Sequence, residues 1–206
     1  MQPVIVSSLD LPKADTEVFL SSSFFSQKPK PERLPTPAEV KAQAALNDGA
    51  KINIWRPPPE KFPSLNLIVK YGGAVSIAEG QCLWMIRTYL GHVIPVPEVY
   101  GWCRDGEETF LYMELIRGST LEQRWKELST TERSSICDQL HPMIAALRTI
   151  KQSPQESCVG KLNLFREYMI FLSPTDSSTL QVVLAAGRCK ILYLRVCPIK
   201  KQRNFH

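Results

Sequence analysis

The chain has 206 residues, of which 44% are hydrophobic and 22% charged; that composition provides a core and excludes wholesale disorder, while the length argues against a repeat array or a multidomain enzyme. Its net charge of +5 is uneven, because residues 161–206 carry eight basic side chains against two acidic ones and residues 1–160 carry 17 against 18. The body is nearly neutral, so a basic-protein reading rests wholly on the tail.

In chain order, residues 1–34 mix Ser, Pro and Lys without periodicity, apart from short apolar pieces such as Phe24 and Phe25, and read as a mobile leader. Leu34-Pro35-Thr36-Pro37 opens a helix over 37–47, with Thr36 as its cap and Glu39 near the positive helix end; Asn47-Asp48-Gly49 stops it. Residues 51–56 alternate as a strand that ends at Pro57-Pro58-Pro59. A second strand covers 65–71, with Leu65, Leu67 and Val69 on one face and Asn66, Ile68 and Lys70 on the other.

Gly72 and Gly73 turn the chain into a helix over 75–90, whose Glu79, Leu83, Ile86 and Leu90 share one stripe, so a carboxylate sits among apolar residues. Ile94-Pro95-Val96-Pro97 is an extended connector. A hairpin follows, with strands over 98–103 and 109–115 joined at Arg104-Asp105-Gly106. Two capping boxes, Ser119 to Glu122 and Ser129 to Glu132, announce helices over 120–128 and 130–151, the second kinked at Pro142 with Ile136, Leu140, Met143, Ile144, Leu147 and Ile150 on one face. The order of strands and helices predicts an α+β plan.

No apolar run is long enough to cross a bilayer and the first basic residue, Lys13, comes too late for a secretory signal, so a soluble cytoplasmic protein is expected. The six cysteines contain no C-x-x-C pair, which points to reduced, structural thiols rather than disulfides or zinc.

Lys70 closes an apolar strand and Glu79 lies on the face of the next helix that must meet the sheet. A carboxylate there needs a partner, since burying it alone costs several kcal/mol. A lysine held by a helical glutamate beside an antiparallel sheet is the device kinases use to position the phosphates of ATP. Spacing alone is equally compatible with a strand-end lysine in solvent and a polar surface glutamate.

Val69-Lys70-Tyr71-Gly72, Val75 and Glu79, the run Ile94 to Gly101, the run Tyr112 to Leu121, and Trp125 with Leu128 stand in an order and spacing that resembles the aminoglycoside-phosphotransferase-like branch of the protein-kinase-like fold, over residues 35–160. The resemblance implies a kinase-like small lobe and hinge over 35–116 and the first helices of a large lobe over 117–160. It implies that Lys70 contacts phosphate and Glu79 orients it, that Ile68 lines the adenine slot, and that Met113 to Ile116 form the hinge, with backbone groups of Glu114 and Ile116 holding the purine. Ordinary core packing is the alternative for Met113 and Ile116.

Two departures accompany the matches. A G-x-G-x-x-G phosphate cover is missing. None of His92, His141 and His206 is followed two residues later by Asp, and Asp176 is the sole aspartate after residue 160, so the catalytic and Mg²⁺-binding carboxylates of such enzymes have no counterpart. The expectation is weak ATP binding at best, with Mg²⁺ not held by this chain alone, no catalytic residue, and a small-molecule phosphoryl acceptor that the sequence does not identify. Residues 161–206 do not resemble the family, and a truncated or alternatively spliced product with a replaced, basic tail is expected. The competing reading is a non-catalytic interaction module; nucleic acid is a disfavoured partner despite Lys200-Lys201-Gln202-Arg203, and self-association through an exposed lobe interface is the remaining partner expectation.

Overall fold

The strand predicted around Lys70 is central to the architecture. In the computed structural model, which describes residues 3–48 and 57–154, the chain is α+β. Its strands are β1 (Val4–Val6), β2 (Glu17–Val18), β3 (Glu60–Phe62), β4 (Leu67–Gly72), β5 (Val99–Asp105), β6 (Glu108–Glu114) and β7 (Ile150–Gln152). Its helices are α1 (Pro37–Asp48), α2 (Ile77–Leu90), α3 (Leu121–Arg124) and α4 (Thr130–Leu147). Five strands form an antiparallel sheet in the order β2-β5-β6-β4-β3, and β1 pairs in parallel with β7 in a separate ribbon.

Period-two alternation along β4 and β6 divides the core between the two faces of the sheet. Leu67, Val69 and Tyr71 of β4 join Phe110 and Tyr112 of β6 in a cluster with Phe24, Phe25 and the α1 residues Val40 and Ala44. Ile68 of β4 joins Leu111 and Met113 of β6 in the other cluster, with Leu83, Met85, Ile86 and Leu90 of α2. A register shift in β5 between Val99 and Gly101 accommodates one extra residue, so Tyr100 and Trp102, two positions apart, fall in opposite clusters.

The helix starts follow from local hydrogen bonding. At α1 the Thr36 hydroxyl accepts from the Glu39 N–H (3.3 Å) and the Glu39 carboxylate accepts from the Thr36 N–H (2.7 Å). The Ser129–Glu132 box forms at α4 as the sequence predicts. The box before α3 does not form at Ser119 and Glu122: it lies one residue on, where Gln123 accepts from the Thr120 N–H at 2.9 Å and Thr120 accepts from the Gln123 N–H at 3.2 Å. Threonine and glutamine satisfy the same geometry as serine and glutamate, so two overlapping boxes competed in the sequence.

The helix predicted over 130–151 ends earlier. At its end the Arg148 N–H donates to Ile144 O and the Thr149 N–H to Ala146 O, and the next residues enter β7, with Val4 opposite Ile150. β-Branched Thr149 and Ile150 suit that extended path better than another helical turn. Pro142 lies inside α4 without ending it.

Residues 3–34 are not the mobile leader that their composition predicts. Val6 and Phe24 are fully buried and Phe25 nearly so. The segment is tied to the sheet by hydrogen bonds from the Trp102 indole to Ala14 O (3.0 Å) and from the Phe19 N–H to Tyr100 O (3.0 Å), and to α2 by one from the Gln81 amide to Pro12 O (2.6 Å). An extended strap contacts the core at irregular intervals, so it carries no period for the sequence to display. The strand predicted over 51–56 and the tail over 161–206 lie outside the described residues, and no described helix is long and apolar enough to cross a membrane.

Candidate functional site

Lys70 stands opposite Leu111 in the pairing of β4 with β6, on the face that α2 covers. Gly72, at φ 116°, ends the strand, and the Val75 N–H donates to Gly72 O (3.2 Å) in the turn that leads to α2. Glu79 is the third residue of that helix. Gly80 then lets the helix lie close to the sheet: a Cβ at that position would come within 2.8 Å of both Leu111 Cδ1 and Trp102 Cε3. This close approach carries the neighbouring Glu79 to the strand.

The Lys70 Nζ and a Glu79 carboxylate oxygen are in direct contact as an ion pair. Each side chain is 14% exposed, against 60% and 49% for Arg33 and Glu39 in the pair at the start of α1. Withdrawal from water reduces screening, so the Lys70–Glu79 attraction is the stronger of the two while its isolated charges are the costlier. The structure therefore brings together the two residues that sequence spacing left open.

The other sequence-predicted residues line the adjacent sheet in register. Ile68 pairs with Met113, and both are buried in the cluster under α2. Glu114 closes β6 opposite Leu67, and its N–H donates to Glu98 O at 2.8 Å. The Leu115 N–H donates to Asn66 O (3.0 Å), after which half-buried Ile116 leaves the sheet. Glu114 is three pairs along β4 from Lys70, about 10 Å at roughly 3.3 Å per residue.

Glu98 is a polar centre that sequence reasoning treated only as a strand start. Its carboxylate accepts from the Ser23 N–H (3.3 Å) and the Ser23 hydroxyl, and faces the Arg87 guanidinium at 3.5 Å. Its own N–H donates to the Glu114 carboxylate at 3.3 Å. An acidic residue closing the apolar run Ile94 to Pro97 was the available signal.

On the opposite face the polar chemistry is quieter. Burial, with a smaller contribution from the neighbouring Cys103, pushes the Tyr112 phenol well above its ordinary pKa, and burial likewise raises Cys103 and Tyr100. An apolar groove of about 380 Å³ is bordered by Val18, Phe25, Leu34, Trp102, Cys103 and Tyr112, and neither Lys70 nor Glu79 lines it. Among the described residues no group of three or more His, Cys, Asp or Glu side chains could hold a metal ion. No family model matches the chain, and neither a curated protein nor a solved structure matches it.

Proposed function

We propose that this chain is a nucleotide-binding lobe of the aminoglycoside-phosphotransferase-like kind, which takes ATP weakly and does not itself transfer the phosphoryl group. The observation that carries the reading is the Lys70–Glu79 ion pair on the α2 face of the sheet. An ammonium fixed by a carboxylate, rather than free to sample solvent, is a preorganised cation for phosphate oxygens. The separation along β4 between Lys70 and the Glu114 end is comparable to the reach of a nucleoside from its phosphates to its base.

The donor set fits a nucleotide in part. Lys70 supplies the cation and the backbone beyond Glu114 supplies peptide groups outside the regular strand, while Ile68 and Met113, buried under α2, back the site from the core rather than face a ligand. Mg²⁺, when it accompanies ATP, would neutralise phosphate charge and would arrive with the nucleotide.

Calorimetric titration with Mg·ATP tests the proposal. Measurable heat at millimolar nucleotide that disappears in Lys70→Ala is expected, and no heat from the unaltered chain would overturn the binding claim. Single-turnover assays with hydroxyl-bearing substrates are expected to give no phosphorylated product.

A further inference from the structure

We infer that Glu98 is a positioning residue for the base-binding end of this site, an inference that rests on the nucleotide reading above. Three separate segments converge on its side chain and backbone. The strap supplies Ser23, whose N–H and hydroxyl both donate to the carboxylate. Helix α2 supplies Arg87, which faces the same carboxylate and also donates to Val96 O at 3.3 Å. The end of β6 supplies Glu114, which exchanges two hydrogen bonds with the Glu98 backbone: its N–H donates to Glu98 O and its carboxylate accepts from the Glu98 N–H.

The Glu98 side chain is only 17% exposed, although its partners Ser23 and Arg87 lie at the surface, so the carboxylate is fixed from the rim of the fold. Arg87 lies two turns beyond Glu79 on the same helix. Glu98 therefore connects the helix that orients Lys70 to the backbone that would meet the purine. The strap is part of that connection, which gives Ser23 a role in the site although its neighbours Phe24 and Phe25 pack on the opposite face of the sheet.

The test compares two ligands on the full chain: Mg·ATP, which reaches both ends of the site, and Mg·tripolyphosphate, which has no base. Glu98→Ala keeps the backbone bonds to Glu114 but frees that backbone from Ser23 and Arg87, so it is expected to weaken ATP about tenfold by loosening the base end, while tripolyphosphate stays within about twofold because Glu79 still holds Lys70. Ser23→Ala, which removes one donor from an exposed strap position and should fold as the unaltered chain does, is expected to give the same asymmetry at about threefold. Glu98→Gln, which keeps an acceptor for Ser23 but loses the charge facing Arg87, should fall between the unaltered chain and Glu98→Ala. Equal weakening of both ligands, or no change in either for the Ser23 variant, would overturn the inference and leave the nucleotide site standing. Failure of the unaltered chain to bind either ligand would overturn both.

Discussion

On one side of β4, Leu67, Val69 and Tyr71 meet the aromatic rings of Phe24, Phe110 and Tyr112. On the other, Ile68 meets α2 and is followed by Lys70, held against Glu79. The same six residues thus build a sealed apolar face and a face that carries a charge pair. What distinguishes them is the covering element: α1 and the strap bring aromatic and aliphatic side chains to β4, whereas α2 adds to its aliphatic residues a carboxylate, Glu79, that meets the strand. A charged residue on a buried strand face is tolerated where its partner arrives on the packing helix.

The largest expected effects remove the anchors of the two faces. Trp102→Ala takes away a buried indole that packs on Phe19 at 5.4 Å between ring centroids and donates to Ala14 O. Phe24→Ala takes away a buried ring that packs 5.2 Å from Tyr100. Each should cost about 3–5 kcal/mol in urea unfolding. A cost near zero for Phe24→Ala would restore the mobile-leader description of residues 1–34 and leave the apolar face with a single cover.

A smaller effect is expected when the charged face is converted to an apolar one. Glu79→Leu alone should destabilise by about 1–3 kcal/mol, because it removes the ion-pair partner of a largely withdrawn ammonium. The double change Lys70→Met with Glu79→Leu should recover most of that loss while abolishing nucleotide binding. Additive losses in the double variant would mean that the two side chains do not act as a pair.

The smallest effect separates the edges of the two covers by pH. The Arg33 guanidinium, with the Thr36 N–H and hydroxyl, holds the Glu39 carboxyl at about 2 against an ordinary 4.5. A lowered folded value means that this contribution is present above pH 4.5 and is lost as pH falls toward 2. Both side chains are about half exposed, so salt should weaken it. Melting temperatures over that range should fall less steeply for Glu39→Gln than for the unaltered chain, and identical slopes would contradict the assignment.

Much of the sheet was legible because β4, the β5–β6 hairpin and α2 each carry a clear period or a turn signal. Gly106, at φ 59°, sits in the hairpin turn that Arg104-Asp105-Gly106 announces, and Leu83, Ile86 and Leu90 are buried along the stripe that begins at Glu79. The strap was not legible: its contacts are backbone carbonyls at Pro12 and Ala14 accepting from side chains 69 and 88 residues away, and a carbonyl leaves no mark in a sequence. Glu98 left a fainter signal, an acidic residue closing an apolar run, but its partners Ser23, Arg87 and Glu114 lie on three other segments that no local pattern joins to it. Helix ends went astray by one residue at Thr120, where overlapping caps offered a second local solution, and by four before Thr149, where β-branched residues did.

Residue-resolved NMR during titration with Mg·ATP measures the central claim most directly. If Lys70 and Glu79 form a phosphate site on the α2 face of the sheet, resonances of Lys70, Leu111, Glu79 and the Glu114–Ile116 backbone will shift together and saturably, while those of Val69, Tyr112 and Phe24 on the opposite face will hold still. Shifts confined to the aromatic face, or none at saturating nucleotide, would contradict it.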